Sequence, residues 1–87
     1  MQRRENLTDT NEMTAKGALK KRSMRIAGHR TSLALEPEFW SGLERIARAR
    51  TQTLPVLIAS IDETRGRDTP DASLASAVRV FVLEHRI

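Results

Sequence analysis

One short alternating segment constrains the fold of this 87-residue chain more than any other part of its sequence. From His29 to Leu35, one set of side chains can face a core and the other can face solvent. The first set is Thr31, Leu33 and Leu35, and the second is Arg30, Ser32 and Ala34. This period of two predicts a β-strand with one buried face. A lone strand cannot satisfy its backbone N–H and C=O groups, and no second convincing strand stands out elsewhere. The simplest partner is the same strand of a second copy of the chain.

Amphipathic helices are predicted after this strand. The first begins near Pro37, a residue suited to the first turn of a helix. Its apolar stripe contains Phe39, Leu43, Ile46 and Ala47, with Trp40 beside it. Thr51-Gln52-Thr53 forms the following turn, and Thr53 is the expected N-cap of the second helix. Gly66 is expected to end that helix as a left-handed cap.

A third, C-terminal helix is predicted at about residues 72–86. Its apolar residues cover most of the circumference, which is typical of a helix buried between elements or against a partner chain. Arg79, the lone charge in this run, is expected to pair with Asp62 or Glu63. Gly42 is unfavourable inside the first helix, by roughly 1 kcal/mol relative to alanine. Close contact with another backbone would explain it.

The segments before the strand have a different composition. Residues 1–19 are polar and lack apolar periodicity, so we expect a disordered tail. Residues 20–28 are interpreted as a basic arm. Met24 and Ile26 occupy even positions, whereas Leu33 and Leu35 occupy odd ones, so an uninterrupted strand would send the two pairs to opposite faces. Gly28 could absorb this shift as a bulge or a turn. We therefore expect the ribbon to begin at His29, within a domain spanning residues 29–87.

Positive charge is concentrated in the first part of the chain. Residues 1–30 contain eight Lys and Arg but three acidic residues, whereas residues 31–87 contain seven Arg and eight acidic residues. No acidic residue lies between Glu12 and Glu36. A basic segment on a nearly neutral body indicates a polyanionic partner, with nucleic acid as the first candidate. A tail that only increases solubility is the alternative.

Several functional classes find little support in the sequence. The chain contains two histidines and no cysteine, and it lacks nucleophile and phosphate-loop motifs. We therefore expect neither an enzyme nor a bound metal or cofactor. No apolar run approaches the roughly 20 residues of a membrane span, and the N-terminus lacks the apolar core of a signal peptide. A cytoplasmic protein that does not enter membranes is expected.

Two longer motifs stand out in the sequence, KRSMRIAGHRTS at residues 21–32 and LEPEFW at residues 35–40. Shorter ones follow at Ile61-Asp62, at Ser73-Leu74 and in RVFVL at residues 79–83. Over roughly residues 20–85, the sequence thereby resembles a family of short bacterial ribbon-helix-helix DNA-binding proteins. The resemblance implies a mainly helical homodimer with one N-terminal strand per chain. The two strands would form an intermolecular antiparallel ribbon, and the C-terminal helix would be an addition to the ribbon-helix-helix core.

The resemblance also implies where duplex DNA is bound. The ribbon of the dimer lies in the major groove, and its outward side chains meet the bases. In this sequence those side chains are Arg30, Ser32 and Ala34. A solvated strand charge is the alternative for Arg30, and His29 could instead cap the strand. The expected DNA-backbone contacts are Lys20, Lys21, Arg22, Arg25, His29, Thr53, Leu54 and Val56. The expected dimer core is Leu33, Leu35, Phe39, Trp40, Leu57, Ile58, Ile61, Val78 and Phe81.

Three roles remain open for such a protein. Transcriptional regulation by sequence-specific DNA binding is the first, and dimers could assemble further on DNA. An antitoxin is the second, with the same fold and a toxin bound through the C-terminal helix. The third is an interaction or scaffold module whose basic arm binds a partner other than DNA. Salt-sensitive affinity for DNA distinguishes the first two roles from the third.

Overall fold

The computed structural model describes residues 18–86. It consists of two antiparallel strands followed by three helices: β1 (Lys20–Ile26), β2 (His29–Leu35), α1 (Pro37–Ala49), α2 (Leu54–Asp68) and α3 (Leu74–Glu84). The mainly helical class and the strand at residues 29–35 are confirmed. Residues 1–17 of the predicted disordered tail lie outside the described residues. None of the helices within residues 18–86 is long and apolar enough to cross a membrane.

The predicted basic arm is wrong, because residues 20–26 form a second strand. Strand β1 pairs with β2 of the same chain, with Lys20 opposite Leu35 and Ile26 opposite His29. Ala27 and Gly28 connect them with φ values of 52° and 85°. Two consecutive residues with positive φ are the signature of the type I′ turn, whose twist matches that of a hairpin. The strand at 29–35 therefore has a partner within its own chain.

The hairpin also explains why the apolar residues have even numbers in β1 and odd numbers in β2. In this register even-numbered residues of β1 lie beside odd-numbered residues of β2. Met24 and Ile26 consequently share a face with Leu33 and Leu35. The change from even-numbered to odd-numbered apolar positions had suggested a bulge. A two-residue hairpin turn requires the same change.

The hydrophobic core forms within one chain. Seven of the nine residues predicted for a dimer core are buried here, while Phe39 and Phe81 are partly buried against them. All three helices and both strands contribute to it. The buried apolar residues are Ile26, Leu33, Leu35, Trp40, Leu43, Ile46, Ala47, Leu57, Ile58, Ile61, Val78 and Val82.

An ion pair joins the beginning of α1 to α3. Glu36 is the N-cap of α1, but its side chain does not cap the helix. The carboxylate instead accepts hydrogen bonds from Arg79 Nε at 2.9 Å and Arg79 Nη2 at 3.3 Å. The predicted pairing of Arg79 with Asp62 or Glu63 is therefore wrong, and Asp62 pairs with Arg65. The hydrogen bonds from Arg79 hold the pKa of the Glu36 carboxyl below its usual value.

The turn between α1 and α2 uses a threonine where glycine is usual. Thr51 has a φ of 54°. Its N–H donates to Arg48 O, and the N–H of Gln52 donates to Ala47 O. These two bonds form a Schellman motif, which closes the end of α1. The predicted N-cap of α2 is confirmed, since Thr53 Oγ1 accepts a hydrogen bond from the N–H of Val56.

The boundaries of α2 and α3 differ from the sequence prediction. Gly66 was expected to end α2, but the helix continues through it to Asp68. Gly66 does not have a positive φ, so it is an ordinary helical residue. Helix α3 begins at Leu74 rather than near residue 72, because the Ser73 side chain accepts a hydrogen bond from Ser76 N–H and caps the helix there.

Gly42 is explained by close packing between α1 and α3. A Cβ atom built on Gly42 would lie 2.6 Å from Cγ1 of Val82. The close contact is with a side chain rather than with the backbone that the sequence suggested. Val82 is buried and β-branched, so it has little freedom to move away.

Gly42→Ala should therefore destabilise the fold despite the better helix propensity of alanine. We expect overpacking to cost about 1–3 kcal/mol and to outweigh a propensity gain of about 1 kcal/mol. Gly66→Ala is the matched control, because open space surrounds that position, and it should stabilise the protein slightly. Urea unfolding of both variants measures the difference, and Val82→Ala should relieve the strain of Gly42→Ala. An increase in stability for Gly42→Ala equal to that for Gly66→Ala would contradict the packing argument.

Candidate nucleic-acid interface

One face of the hairpin points away from the helices and carries polar, basic and small side chains. We call it the outer face. It is formed by three directly opposed pairs: Lys21 with Ala34, Ser23 with Ser32, and Arg25 with Arg30. Ala34 is partly exposed and the other five residues are exposed. The sequence predicted Arg30, Ser32 and Ala34 to point outward, and the register places them on this face.

The charges of the outer face are all positive. Among residues 18–86, no carboxylate forms an ion pair with Lys21, Arg25 or Arg30. Arg25 and Arg30 lie directly opposite each other, an arrangement in which like charges destabilise a strand pair. Arg25 Nη1 donates to the carbonyl oxygen of Gly28 at 3.0 Å, so this guanidinium is oriented toward the turn. A bound anion would relieve the repulsion between the two arginines.

The centre of the outer face contains a hydrogen-bonded serine pair. The Oγ atoms of Ser23 and Ser32 lie 3.0 Å apart, and either can be the donor. Each hydroxyl keeps further capacity to donate or accept. The face therefore presents small polar groups at its centre and cations on both sides of them.

The opposite face of the hairpin holds the other basic residues that were expected to contact DNA. Lys20, Arg22 and His29 share the face of Leu33 and Leu35, although all three remain exposed. Their expected contacts to the DNA backbone remain predictions. Because they lie on the helix side of the hairpin, a duplex bound to the outer face would reach them only with difficulty.

Arg22 has a different partner in the structure. Its Nη1 lies 2.9 Å from Glu44 Oε2, and its guanidinium carbon lies 4.5 Å from the centre of the Trp40 ring. Trp40 Nε1 donates to the carbonyl oxygen of Lys20 at 2.7 Å. The buried indole therefore joins β1 to α1 through both its ring face and its N–H group. These contacts hold the hairpin in a fixed orientation on the helices.

The N-terminus of α2 has few free donors for a phosphate. Pro55 lacks an N–H group, and the N–H of Val56 donates to Thr53 Oγ1 at 3.3 Å. Leu57 N–H donates to Thr53 O. The predicted clamp by Thr53, Leu54 and Val56 is thus reduced to the N–H of Leu54, unless Thr53 releases the N–H of Val56.

A second concave surface, which the sequence did not indicate, lies between α2 and α3. This groove encloses about 570 Å³ and is lined by Ile61, Val80 and Phe81 together with polar residues. Arg50 lies over the Phe81 ring at 5.2 Å, and His85 stacks on the same ring at 4.1 Å. The apolar circumference of α3 was its only signal in the sequence.

The described residues 18–86 contain no metal-binding cluster. No group of three or more His, Asp or Glu side chains there could hold a metal ion. The two histidines lie in different elements, His29 in β2 and His85 at the end of α3. The geometry is that of a basic surface on a rigid support.

Comparison with models of protein families identifies the family that has this fold. The model of the ribbon-helix-helix domain matches residues 19–86, which include both strands and all three helices. The chain belongs to the ribbon-helix-helix family. No curated protein and no solved structure matches it significantly.

Ribbon-helix-helix domains are generally DNA-binding transcription regulators or antitoxins, not enzymes, and they typically bind DNA as dimers. The family match includes β1 as well as β2, so the hairpin lies inside the matched region. Sequence reasoning missed Lys21, Ser23 and Arg25 as members of the outer face. The available signal was the Ala27-Gly28 pair. Apolar residues occupy even-numbered positions before it and odd-numbered positions after it, and the two features together predict a two-residue hairpin turn.

Proposed function

We propose that this ribbon-helix-helix protein regulates transcription by binding duplex DNA through the outer face of its hairpin. One observation carries the proposal: Lys21, Arg25 and Arg30 project from a face without acidic residues and have no ion-pair partner within residues 18–86. Nucleic acid is the polyanion that a basic two-stranded ribbon fits. A cytoplasmic location gives such a protein access to bacterial DNA.

The dimensions of a β-ribbon suit the major groove of B-DNA. The groove is about 12 Å wide and admits two strands, which lie about 4.8 Å apart. Arg30 can bond guanine O6 and N7 together, Ser32 can bond several bases, and the Ala34 methyl can contact a thymine methyl. Lys21 and Arg25 lie on the neighbouring strand. We assign these two to phosphate contacts, which position the protein without reading sequence.

The helices have a supporting role in this proposal. The ion pair of Arg22 with Glu44 and the hydrogen bond from Trp40 to Lys20 O hold the hairpin on α1. A reading surface held by packed helices keeps its side chains in the geometry that base contacts need. The N–H of Leu54 at the start of α2 is a further candidate contact to a phosphate.

An antitoxin of a toxin–antitoxin pair is the second candidate function. The groove between α2 and α3 favours it, because Val80 is 48% exposed in the groove and Leu83 on the same helix is 53% exposed. Apolar residues exposed together are typical of surfaces that bind another protein. DNA binding by the outer face is common to both candidates. This role predicts that a protein encoded beside this gene copurifies with the wild-type chain. Loss of that copurification in Val80→Asp would support the antitoxin role.

Lys21 and Lys20 provide a charge-matched test of the outer face. They are neighbours in sequence and equal in charge, but they lie on opposite faces of β1. Lys21→Ala should weaken binding to all duplexes and reduce the salt dependence of log K by about one unit, the contribution of one phosphate contact. Lys20→Ala should leave both quantities nearly unchanged. A fluorescence-anisotropy titration at several salt concentrations measures them, and equal losses for the two variants would exclude the outer face as the DNA surface.

Arg30 should contribute to sequence discrimination. The wild-type protein can first be used to select a preferred duplex from a random pool. Arg30→Ala should then lose about 1–3 kcal/mol of affinity for that duplex and much less for a scrambled one. Arg45→Ala is the control, because it removes an equal charge from an exposed position on α1. If Arg30→Ala lowers both affinities by the same factor, Arg30 contacts phosphate and does not read bases.

A further inference from the structure

The groove between α2 and α3 is a concave surface that the proposed DNA contacts do not use. It encloses about 570 Å³, which lies within the range of roughly 300–1,000 Å³ that is typical of small-molecule sites. Its apolar lining includes Ile61, which is buried, Phe81, which is partly buried, and Val80, which is exposed. An apolar lining with a few polar groups is the usual composition of a site for a small ligand.

One end of the groove carries a guanidinium beside an aromatic ring. The guanidinium carbon of Arg50 lies 5.2 Å from the centre of the Phe81 ring, and His85 stacks on the same ring at 4.1 Å. His85 Nδ1 donates to the carbonyl oxygen of Phe81 at 2.9 Å, since a carbonyl oxygen can only accept. Arg50 forms no ion pair within residues 18–86. Its guanidinium is therefore available to a ligand carboxylate, which it can bind through two parallel hydrogen bonds.

A carboxylate lines the same end of the groove. Glu84 precedes His85 at the end of α3. No ion pair joins Glu84 to Arg50 or to another cation in the described part of the chain. Two opposite charges thus line one end of the groove without bonding each other. An α-amino acid carries the complementary pair of charges on adjacent groups, a carboxylate for the arginine and an ammonium for the glutamate.

A second carboxylate lines the other end of the groove. Ser76 and Glu84 both line it and are eight residues apart on α3, which corresponds to about 12 Å of helix. Asp68 is the last residue of α2, and Ala72 N–H donates to Thr69 O at 2.9 Å, so this turn lies beside the start of α3. Asp68 also has no ion-pair partner among residues 18–86. Two carboxylates and one guanidinium give the groove a net negative charge, with His85 counted as neutral.

We propose that the groove between α2 and α3 binds a free basic α-amino acid, with lysine as its simplest example. The carboxylate of the ligand pairs with Arg50, its α-ammonium with Glu84, and its side-chain ammonium with Asp68. The aliphatic stem, about four carbons long, packs against Ile61 and Val80. The single net positive charge of the ligand complements the net negative charge of the groove. This proposal is independent of the proposed function, because it uses no residue of the outer face.

Lysine and three analogues test the contacts one at a time. Cadaverine lacks only the carboxylate, 6-aminohexanoate lacks only the α-ammonium, and norleucine lacks only the side-chain ammonium. The measurement is the shift of the Ala77 and Val80 signals in NMR spectra of the labelled full-length chain, at constant pH and ionic strength. Lysine should produce saturable shifts and bind about fivefold more tightly than each analogue, which is the upper range for one solvent-exposed ion pair.

Substitutions should remove each preference selectively. Arg50→Gln should reduce the affinity for lysine to that for cadaverine, and Asp68→Asn should reduce it to that for norleucine. Glu84→Gln should reduce it to that for 6-aminohexanoate. Arg48→Gln and Asp71→Asn are the matched controls, because each removes the same charge from an exposed position outside the groove. Both controls should keep the full preference for lysine.

The outcomes separate a specific site from general attraction between charges. Equal affinities for lysine and its analogues, or no saturable shift in the groove, would overturn the proposal. Equal losses in Arg48→Gln and Arg50→Gln would overturn it too. Circular dichroism verifies that the variants are folded, and the four compounds decide the question on the wild-type chain even if a variant does not fold.

Two further measurements distinguish this proposal from the proposed functions. The affinity of the ligand-free chain for duplex DNA tests the proposed function separately, so either proposal can fail alone. A groove that binds none of the four compounds but holds a copurifying protein would overturn the amino-acid site and favour the antitoxin role.

Discussion

The structure depends on how the backbone of the strand at residues 29–35 finds its hydrogen-bond partners. A strand cannot leave a row of N–H and C=O groups unpaired at low cost, so a partner must come from the same chain or from another. The type I′ turn at Ala27-Gly28 supplies it from the same chain. The turn also fixes which side chains share a face. The apolar set is directed to the helices and the basic set to solvent, so a single two-residue connection determines both the core and the candidate interface.

The helices turn this hairpin into a rigid support. Trp40 is 2% exposed, and its N–H binds the backbone of β1 while Arg22 lies over its ring. On the other side of the fold, Arg79 joins α3 to the start of α1 through Glu36. Gly42 permits the close approach of Val82 that brings α1 and α3 together. These contacts tie the hairpin, α1 and α3 to one shared core.

The sequence predicts part of this arrangement. The alternating strand at 29–35, the start of α1 at Pro37 and the Thr53 cap follow from local patterns that the structure leaves unchanged. Strand β1 was missed because KKRSMRI reads as a basic segment, and its pairing becomes clear only when the turn is considered with it. Gly66 was misjudged because glycine can be an ordinary helical residue as well as a cap. The Arg79–Glu36 pair joins residues 43 positions apart, so no local pattern could have indicated it.

The central claim is that the outer face of the hairpin is the surface that contacts duplex DNA. The most direct measurement is an NMR titration of the isotopically labelled full-length chain with a duplex at low salt. The account predicts that the backbone amides and the side-chain signals of Lys21, Ser23, Arg25, Arg30, Ser32 and Ala34 shift together. Residues of the groove between α2 and α3, such as Ala77 and Val80, should remain unchanged. Shifts concentrated in that groove, or none at all on the hairpin at saturating DNA, would contradict it.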